Sequence, residues 1–404
     1  MTLVDFLLQL STTAKRSTPL LLRHRIGVSK ATATPDTAPS KKKARVAVPS
    51  PSKSAVIPIL PAAPKDGGED SKILFTYDRL VPGRLVRRYK RFLADVELVD
   101  AESALGGTPE ARDAVPVDDA KVVTVYCPNT GPMVGLLELP NARVQLSKSD
   151  DPKRKYQYTL EMVQVDNGER RVWVGVHSTL ANRMVEKAIA AQWLPELGRF
   201  STFQREVTFA ASSRVDFVLS GTGSDGVARE KYVEVKSVSF AHPTESPSSG
   251  AAATRFCALF PDTVSDRAQK HVAELTELIE RRAARATDVP APKETSAAVV
   301  FVVQRDDCHE FAPSFLHDAA FAALCARAAE KNVQLLGYAV ALEPDEGNGR
   351  GQARLLQALP LYTHTPSENE ANDDNSNVAS QSTKQMKPTK ARTTKNKTTS
   401  QTRK

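Results

Sequence analysis

The feature that most constrains this chain is the run Ala297-Ala298-Val299-Val300-Phe301-Val302-Val303-Gln304, apolar at every position before its terminal glutamine. An extended strand sends successive side chains to opposite faces, so such a run needs cover on both sides. It predicts a central, buried strand of a sheet flanked by helices. The surrounding pattern supplies those helices. Leu180–Leu194 places Leu180, Met184, Ala188, Ala191 and Trp193–Leu194 near one stripe. Val264–Arg282 does the same with Val272, Leu275 and Leu278–Ile279, and Ala319–Glu330 reads as a third helix. Phe203–Phe209, Ser213–Leu219, Tyr232–Phe240 and Leu335–Ala341 read as strands. The predicted order is therefore α-β-β-β-α-β followed by αβ, a mixed sheet of the kind on which many nucleases are built. Gly221–Arg229, Pro243–Ala253 and Thr287–Thr295 read as loop insertions at the connections.

The part before this sheet has a different texture. Arg84–Val99, Val122–Cys127, Val134–Glu138 and Val144–Ser147 read as strands, separated by turn signals such as Pro128-Asn129-Thr130-Gly131-Pro132. Short strands without strong helix signals suggest a small barrel. Ala101–Ala120 reads as an inserted polar loop. The fold class expected is thus α/β (α+β), with a barrel over 72–158 and a mixed domain over 159–362.

Beyond this body the composition shifts. Up to Leu60 the only acids are Asp5 and Asp36, against ten lysines and arginines, and from Ser380 onward there are eight bases and no acid. The formal charge of +8 therefore sits in the tails, and the folded middle is near balance. Segments 1–71 and 363–404, rich in Ser, Thr, Pro and Lys, cannot bury enough apolar surface to offset ordering entropy and are expected to be disordered. The first resembles an organellar presequence, so a mitochondrial or other organelle address is expected. Lys41-Lys42-Lys43-Ala44-Arg45 leaves a nuclear address as the alternative, and an unaddressed, cytoplasmic tail as a third. The four cysteines form no C-x-x-C pair, which argues against a zinc site and against a disulfide framework. No apolar run approaches the ~18 residues of a membrane span.

The chemistry concentrates on two adjacent strands. In Tyr232-Val233-Glu234-Val235-Lys236, period two sets Glu234 and Lys236 on one face. Asp216 lies among apolar residues of the preceding strand, and an antiparallel hairpin would carry it opposite Glu234. Two carboxylates so arranged can hold Mg2+, with Mn2+ as the alternative, and the Val235 carbonyl is a further candidate ligand. Lys236 would orient water and offset phosphorane charge. The bland reading is an exposed cross-strand ion pair worth under ~1 kcal/mol. Glu206 on the first strand is a further candidate at the catalytic site, as is Glu186 on the preceding helix. Lys148, Lys153, Arg154, Lys155 and Tyr156 mix cations with an aromatic ring in a Pro-marked loop, which suits phosphate contact and base stacking. Arg267, Gln269, Lys270 and His271 begin a helix expected beside the sheet, with Gln269 or Lys270 reaching the phosphate. Arg84, Arg87, Arg88, Lys90 and Arg91 form a second basic cluster. Cys127 reads as structural.

Several segments carry a resemblance: YCPNTGPMVGLL (Tyr126–Leu137), LSKSDDPKRKYQYTLEMVQV (Leu146–Val165), STLANRMVEKAI (Ser178–Ile189), SRVDFVL (Ser213–Leu219), VEVKSV (Val233–Val238), FPDTVSDRAQKHVAEL (Phe260–Leu275) and FVVQRDD (Phe301–Asp307). In this order they resemble the sugar fermentation stimulation protein A (SfsA) family. The resemblance implies an OB-like barrel joined to a PD-(D/E)XK nuclease-type domain, and DNA binding. It also implies that Asp216, Glu234, Lys236 and Glu206 match the family's acidic and lysine positions. Departures include Tyr232 for Cys, Ala268 for Gly and His177 for Asn. The function expected is a DNA-binding protein that hydrolyses phosphodiesters with a metal ion; RNA is the alternative substrate. The rival is a non-catalytic DNA-binding or regulatory protein.

Overall fold

The computed structural model describes residues 55–59, 72–99, 121–137, 141–210, 213–244, 255–285 and 293–362. The basic tails, the presequence and nuclear-import readings on them, and the Ala101–Ala120 insertion lie outside these residues. In chain order the strands are β1 (Ile57–Pro58), β2 (Ile73–Tyr77), β3 (Leu80–Tyr89), β4 (Leu93–Leu98), β5 (Val122–Tyr126), β6 (Arg143–Lys148), β7 (Tyr158–Asp166) and β8 (Arg171–Gly175). Helix α1 (Leu180–Ala190) follows, then β9 (Thr202–Thr208), β10 (Arg214–Thr222), β11 (Ala228–Val238), β12 (Ala241–Thr244) and β13 (Arg255–Phe260). The chain continues through α2 (Asp266–Arg285), β14 (Glu294–Val303), β15 (Cys308–Pro313), α3 (Ala319–Glu330), β16 (Val333–Asp345) and β17 (Arg350–Leu359).

The predicted order α-β-β-β-α-β then αβ is present in α1, β9, β10, β11, α2, β14, α3 and β16. The apolar run lies in β14, and its alternation divides it between two cores. Ala298, Val300 and Val302 join α1's Leu180, Met184 and Ala188 in one cluster. Ala297, Val299, Phe301 and Val303 join α2's Val272 and Leu275 and α3's Phe321 and Cys325 in the other. Strands β11, β14 and β16 run parallel through the middle of an eight-stranded sheet ordered β1-β9-β10-β11-β14-β16-β17-β2, and the outer pairs are antiparallel. Asp318 joins the helices on one side of it. Its side chain caps α3 at the Phe321 amide (3.0 Å) and also accepts from the Ser265 amide (2.9 Å) just ahead of α2.

The six-stranded sheet β5-β4-β3-β6-β7-β8 is closed into a barrel by a parallel β5–β7 contact at Tyr126 and Thr159. Its interior is a third apolar cluster around Leu85, Val96, Val144, Leu160 and Val174. Several expectations need correction here. Arg84–Val99 is two strands, because Lys90 and Arg91 take positive φ (49° and 61°) and turn the chain. Val134–Glu138 forms no strand over its described residues, and Met133 and Leu136 pack into the barrel instead. The barrel does not end at 158: β7 pairs with β6 and β8 with β7, so the division falls near Val176. Ile73–Tyr77, assigned to the barrel from its place in the chain, pairs with β17 and so lies at the far edge of the other sheet.

The two sheets are tied at defined points. The Gly175 amide donates to the Gln304 carbonyl at 2.8 Å. Asn167 reaches Asp307 (3.2 Å), Arg170 pairs with Asp306 (3.0 Å), and Asp262 accepts from the Met133 amide (2.7 Å). All four cysteines are free and buried. Among the described residues no helix is long and apolar enough to cross a membrane.

Candidate catalytic site

The antiparallel β10–β11 register, with Phe217 opposite Val233, brings Asp216 level with Glu234. Asp216 is fixed from two directions. Its Oδ2 accepts from the Val235 amide (2.7 Å), and its Oδ1 accepts from Asn182 Nδ2 of α1 (2.6 Å). Glu234 and Lys236 share a face, as period two requires, and both are buried. Lys236 Nζ donates to Glu234 Oε1 at 2.7 Å, and His271 Nδ1 from α2 meets the same oxygen.

The electrostatics separate the two acids. Burial and the charge of Glu234 push the Asp216 carboxyl up to about 6, against the pull of the Val235 amide, Lys236 and Asn182. Burial also works to raise Glu234, but the His271 hydrogen bond and the Lys236 ammonium hold its carboxyl below the ordinary glutamate value. Glu234 is therefore the partner that keeps its charge to lower pH, and Asp216 the one whose ionisation costs most.

Of the predicted residues, Asp216, Glu234 and Lys236 meet. Glu206 does not join them. It lies on β9 with φ 52°, more than half exposed, and its carboxylate is 3.9 Å from Arg214. Among the described residues it contacts none of the three. The left-handed backbone redirects a side chain that strict alternation would have kept in line. Glu186 is likewise paired elsewhere, with Arg205 at 3.1 Å. Arg267 and Lys270 are exposed on α2, Lys270 lying 3.9 Å from Glu274. Gln269 is turned to Asp318 (2.8 Å). Of that helical cluster it is His271 that enters the site.

The loop joining β6 to β7 carries Lys148, Lys153, Arg154, Lys155 and Tyr156 on the barrel surface. Lys148 Nζ lies 5.7 Å from the Tyr158 ring and Lys155 Nζ 5.3 Å from Tyr156. Arg154 donates to Thr159 Oγ1 (2.7 Å). Three members of the second basic cluster are paired within the barrel, and Lys90 and Arg91 are exposed at the turn. Arg84 pairs with Glu97 (2.8 Å), Arg87 with Asp95 (2.8 Å), and Arg88 donates to the Asn129 carbonyl (2.8 Å).

Two site residues, Asn182 and His271, escaped assignment from the sequence. Both sit on helices, and neither spacing nor residue type says which turn will face the β10–β11 hairpin. The one available signal is position: each lies within a helix's first two turns.

Comparisons with known proteins agree with this architecture. The family model described as SfsA N-terminal OB domain matches residues 86–176, and that described as Sugar fermentation stimulation protein RE domain matches 179–346. The sugar fermentation stimulation protein homolog of Trichormus variabilis is 36% identical over 285 residues, covering 70% of this chain and 98% of that protein. The Synechococcus elongatus homolog is 38% identical over 251 residues, covering 62% and 84%. The structure of Pyrococcus furiosus SfsA in complex with Ca2+ covers 72% of this chain and 99% of its own, at TM-score 0.51 and 22% identity, and so shares the fold. The relatives named here also correct the expected address. They come from cyanobacteria, cells without mitochondria, which overturns the organellar reading of the basic N-terminal segment. An OB barrel and a mixed α/β domain in this order, matched nearly end to end by such relatives, assign this chain to the sugar fermentation stimulation protein family.

Proposed function

We propose that this protein binds DNA and hydrolyses its phosphodiester backbone with a divalent cation, Mg2+ or Mn2+, held at Asp216 and Glu234. One observation carries the reading: two carboxylates sit level on the paired strands β10 and β11, where burial and then the charge of Glu234 push the Asp216 carboxyl up to about 6. A binding surface for a polyanion gains nothing from that repulsion, whereas a cation between the two would relieve it. The donor chemistry fits a hard ion. Among the described residues no group of three His, Cys, Asp or Glu could hold a metal. The ion would therefore take two carboxylates, the Val235 carbonyl and water, in keeping with the habit of magnesium. Pyrococcus furiosus SfsA was solved with Ca2+, another oxygen-seeking cation.

When bound, such an ion lowers the pKa of a coordinated water and neutralises charge on the phosphate. The protein's share is positional. Asn182 and the Val235 amide fix Asp216, and His271 fixes Glu234. Lys236 supplies a buried ammonium that can orient water and offset charge on the phosphorane. The basic β6–β7 loop would grip the backbone away from the chemistry.

Full-length protein with Mg2+ or Mn2+ should cut labelled DNA, and Asp216→Asn and Lys236→Ala should lose cleavage while keeping affinity. If wild type and both variants bind equally but none cuts single-stranded, double-stranded or branched DNA or RNA, the protein is a non-catalytic DNA-binding member of its family.

A further inference from the structure

A cavity of about 1100 Å3 opens at the end of the eight-stranded sheet where β11, β14 and β16 begin. Lys231, on β11, lines it. It shares the parity of Val233 and Val235, so it faces the α1 side of the sheet, whereas Glu234 and Lys236 face α2. Lys231 is only 7% exposed. Its ammonium donates to the neutral Gln334 Oε1 (2.6 Å) and lies 5.9 Å from the Phe200 ring. Among the described residues no carboxylate lies within ion-pair distance of it. A buried cation without an ion-pair partner is costly: desolvation lowers the Lys231 pKa, against the smaller opposing pull of Glu294, which is itself paired with Arg229.

A second cation on the wall, Arg199, is exposed and has no polar partner among the described residues. The third, Arg229, is already balanced by Asp225 (2.5 Å) and Glu294 (2.8 Å). Lys231 and Arg199 are thus left without an ion-pair partner on a wall that the hydroxyls of Thr222 and Ser224 also line. A carboxylate would answer only one of the two charges. A phosphate dianion answers both and can also accept from the two hydroxyls. The volume reaches the upper range of small-molecule sites, and apolar side chains such as Leu197 and Leu335 complete the wall.

We propose that this cavity is a second ligand site, separate from the carboxylate pair, that binds the phosphoryl group of a small molecule between Lys231 and Arg199.

The test is isothermal titration of the full-length protein in chelator-containing buffer, with inorganic phosphate and with phenyl phosphate as probes. Saturable binding at one site per chain is expected, weakened at least about tenfold by Lys231→Met and by Arg199→Ala. Asp216→Asn should leave both affinities unchanged. Tighter binding of phenyl phosphate would assign an ester, and tighter binding of inorganic phosphate the free ion. Because Arg199 is exposed, its variant decides the matter should Lys231→Met fail to fold. Equal affinity in wild type and Arg199→Ala, loss of binding in Asp216→Asn, or no binding at millimolar probe would overturn the proposal.

Discussion

The amide of Val235 donates to Oδ2 of Asp216 at 2.7 Å, so the aspartate is bonded to the strand that carries its partner acid. This bond explains why Asp216 remains beside Glu234 despite the repulsion between them. It also makes the pair a fixed feature of the β10–β11 hairpin, independent of any ligand.

The raised Asp216 carboxyl gives a pH dependence with a definite sign. Its folded value, about 6, exceeds the ordinary 3.8. Between those values the folded state holds a proton that the unfolded state has released, so this group's contribution to stability falls as pH rises through the window. Two pKa units correspond to about 3 kcal/mol. In metal-free buffer, Asp216→Asn should gain on wild type from pH 4 to pH 6 and level off above. Denaturant melts across that range check this. Glu234 acts separately and in the opposite sense. Its lowered carboxyl contributes stability above its ordinary value that is lost as the solution is acidified through the folded one.

Magnesium should act on the same residue. An ion bound only to the folded state stabilises by about 2.7 kcal/mol at a hundredfold excess over its dissociation constant. At neutral pH, Mg2+ should raise the Tm of wild type, and the rise should vanish in Asp216→Asn. Equal rises in both proteins would place the ion elsewhere.

His271 should matter through Glu234. Removing a buried partner of a charged group costs about 1–3 kcal/mol, so His271→Ala should be destabilised by that order. It should also lose cleavage while retaining DNA affinity, because the contact His271 makes is with Glu234 and not with the basic loop's residues. His271→Gln, which can still donate to the carboxylate, should recover part of both. Melting, cleavage and binding measured on the two variants separate the positioning role from simple loss of packing.

What could be read ahead of the structure was local. Period two placed Glu234 beside Lys236, hairpin geometry placed Asp216 opposite them, and the double-sided apolar character of Ala297–Val303 marked the central strand. The misses are tertiary. Asn182 and His271 reach the site from helices whose orientation depends on packing. Ile73–Tyr77 crosses from the barrel end of the chain to pair with β17, a partner more than 270 residues away that no local pattern announces. Glu206 lies on a predicted strand and matches the family's acidic position, but its φ is positive and its carboxylate lies toward Arg214.

The β6–β7 loop should carry much of the salt dependence of DNA binding. Asp150 is paired with Arg79 (2.6 Å), Asp151 accepts from the Lys153 amide (2.9 Å), and Lys153, Arg154 and Lys155 are exposed. Each phosphate contact contributes nearly one unit to the slope of log K against log salt. Neutralising Lys153, Arg154 and Lys155 together should therefore flatten that slope by up to about 3. Cleavage at saturating DNA should be kept. An unchanged slope in filter-binding or anisotropy titrations would remove the loop from the interface.

Gly175 should prove to be the joint between barrel and catalytic sheet. A Cβ added there would lie 2.5 Å from Gln304 Oε1 and 2.9 Å from Gln304 Cβ, so swinging the amide aside cannot relieve the collision. Gln304 is fully buried and cannot retreat. Its Nε2 donates to Ser237 Oγ (2.7 Å), one residue beyond Lys236, and its amide donates to the Val238 carbonyl (2.9 Å). Gly175→Ala must therefore push on the end of β11 or break the Gly175–Gln304 bond. Overpacking of this kind costs about 1–3 kcal/mol. The variant should melt earlier than wild type and cleave more slowly at saturating DNA. Gly168→Ala, in the exposed β7–β8 turn with nothing within 4 Å of its added Cβ, should pay only the strain of a positive φ and cleave normally. Equal cleavage by both variants would show that the barrel is not coupled to β11 through Gln304.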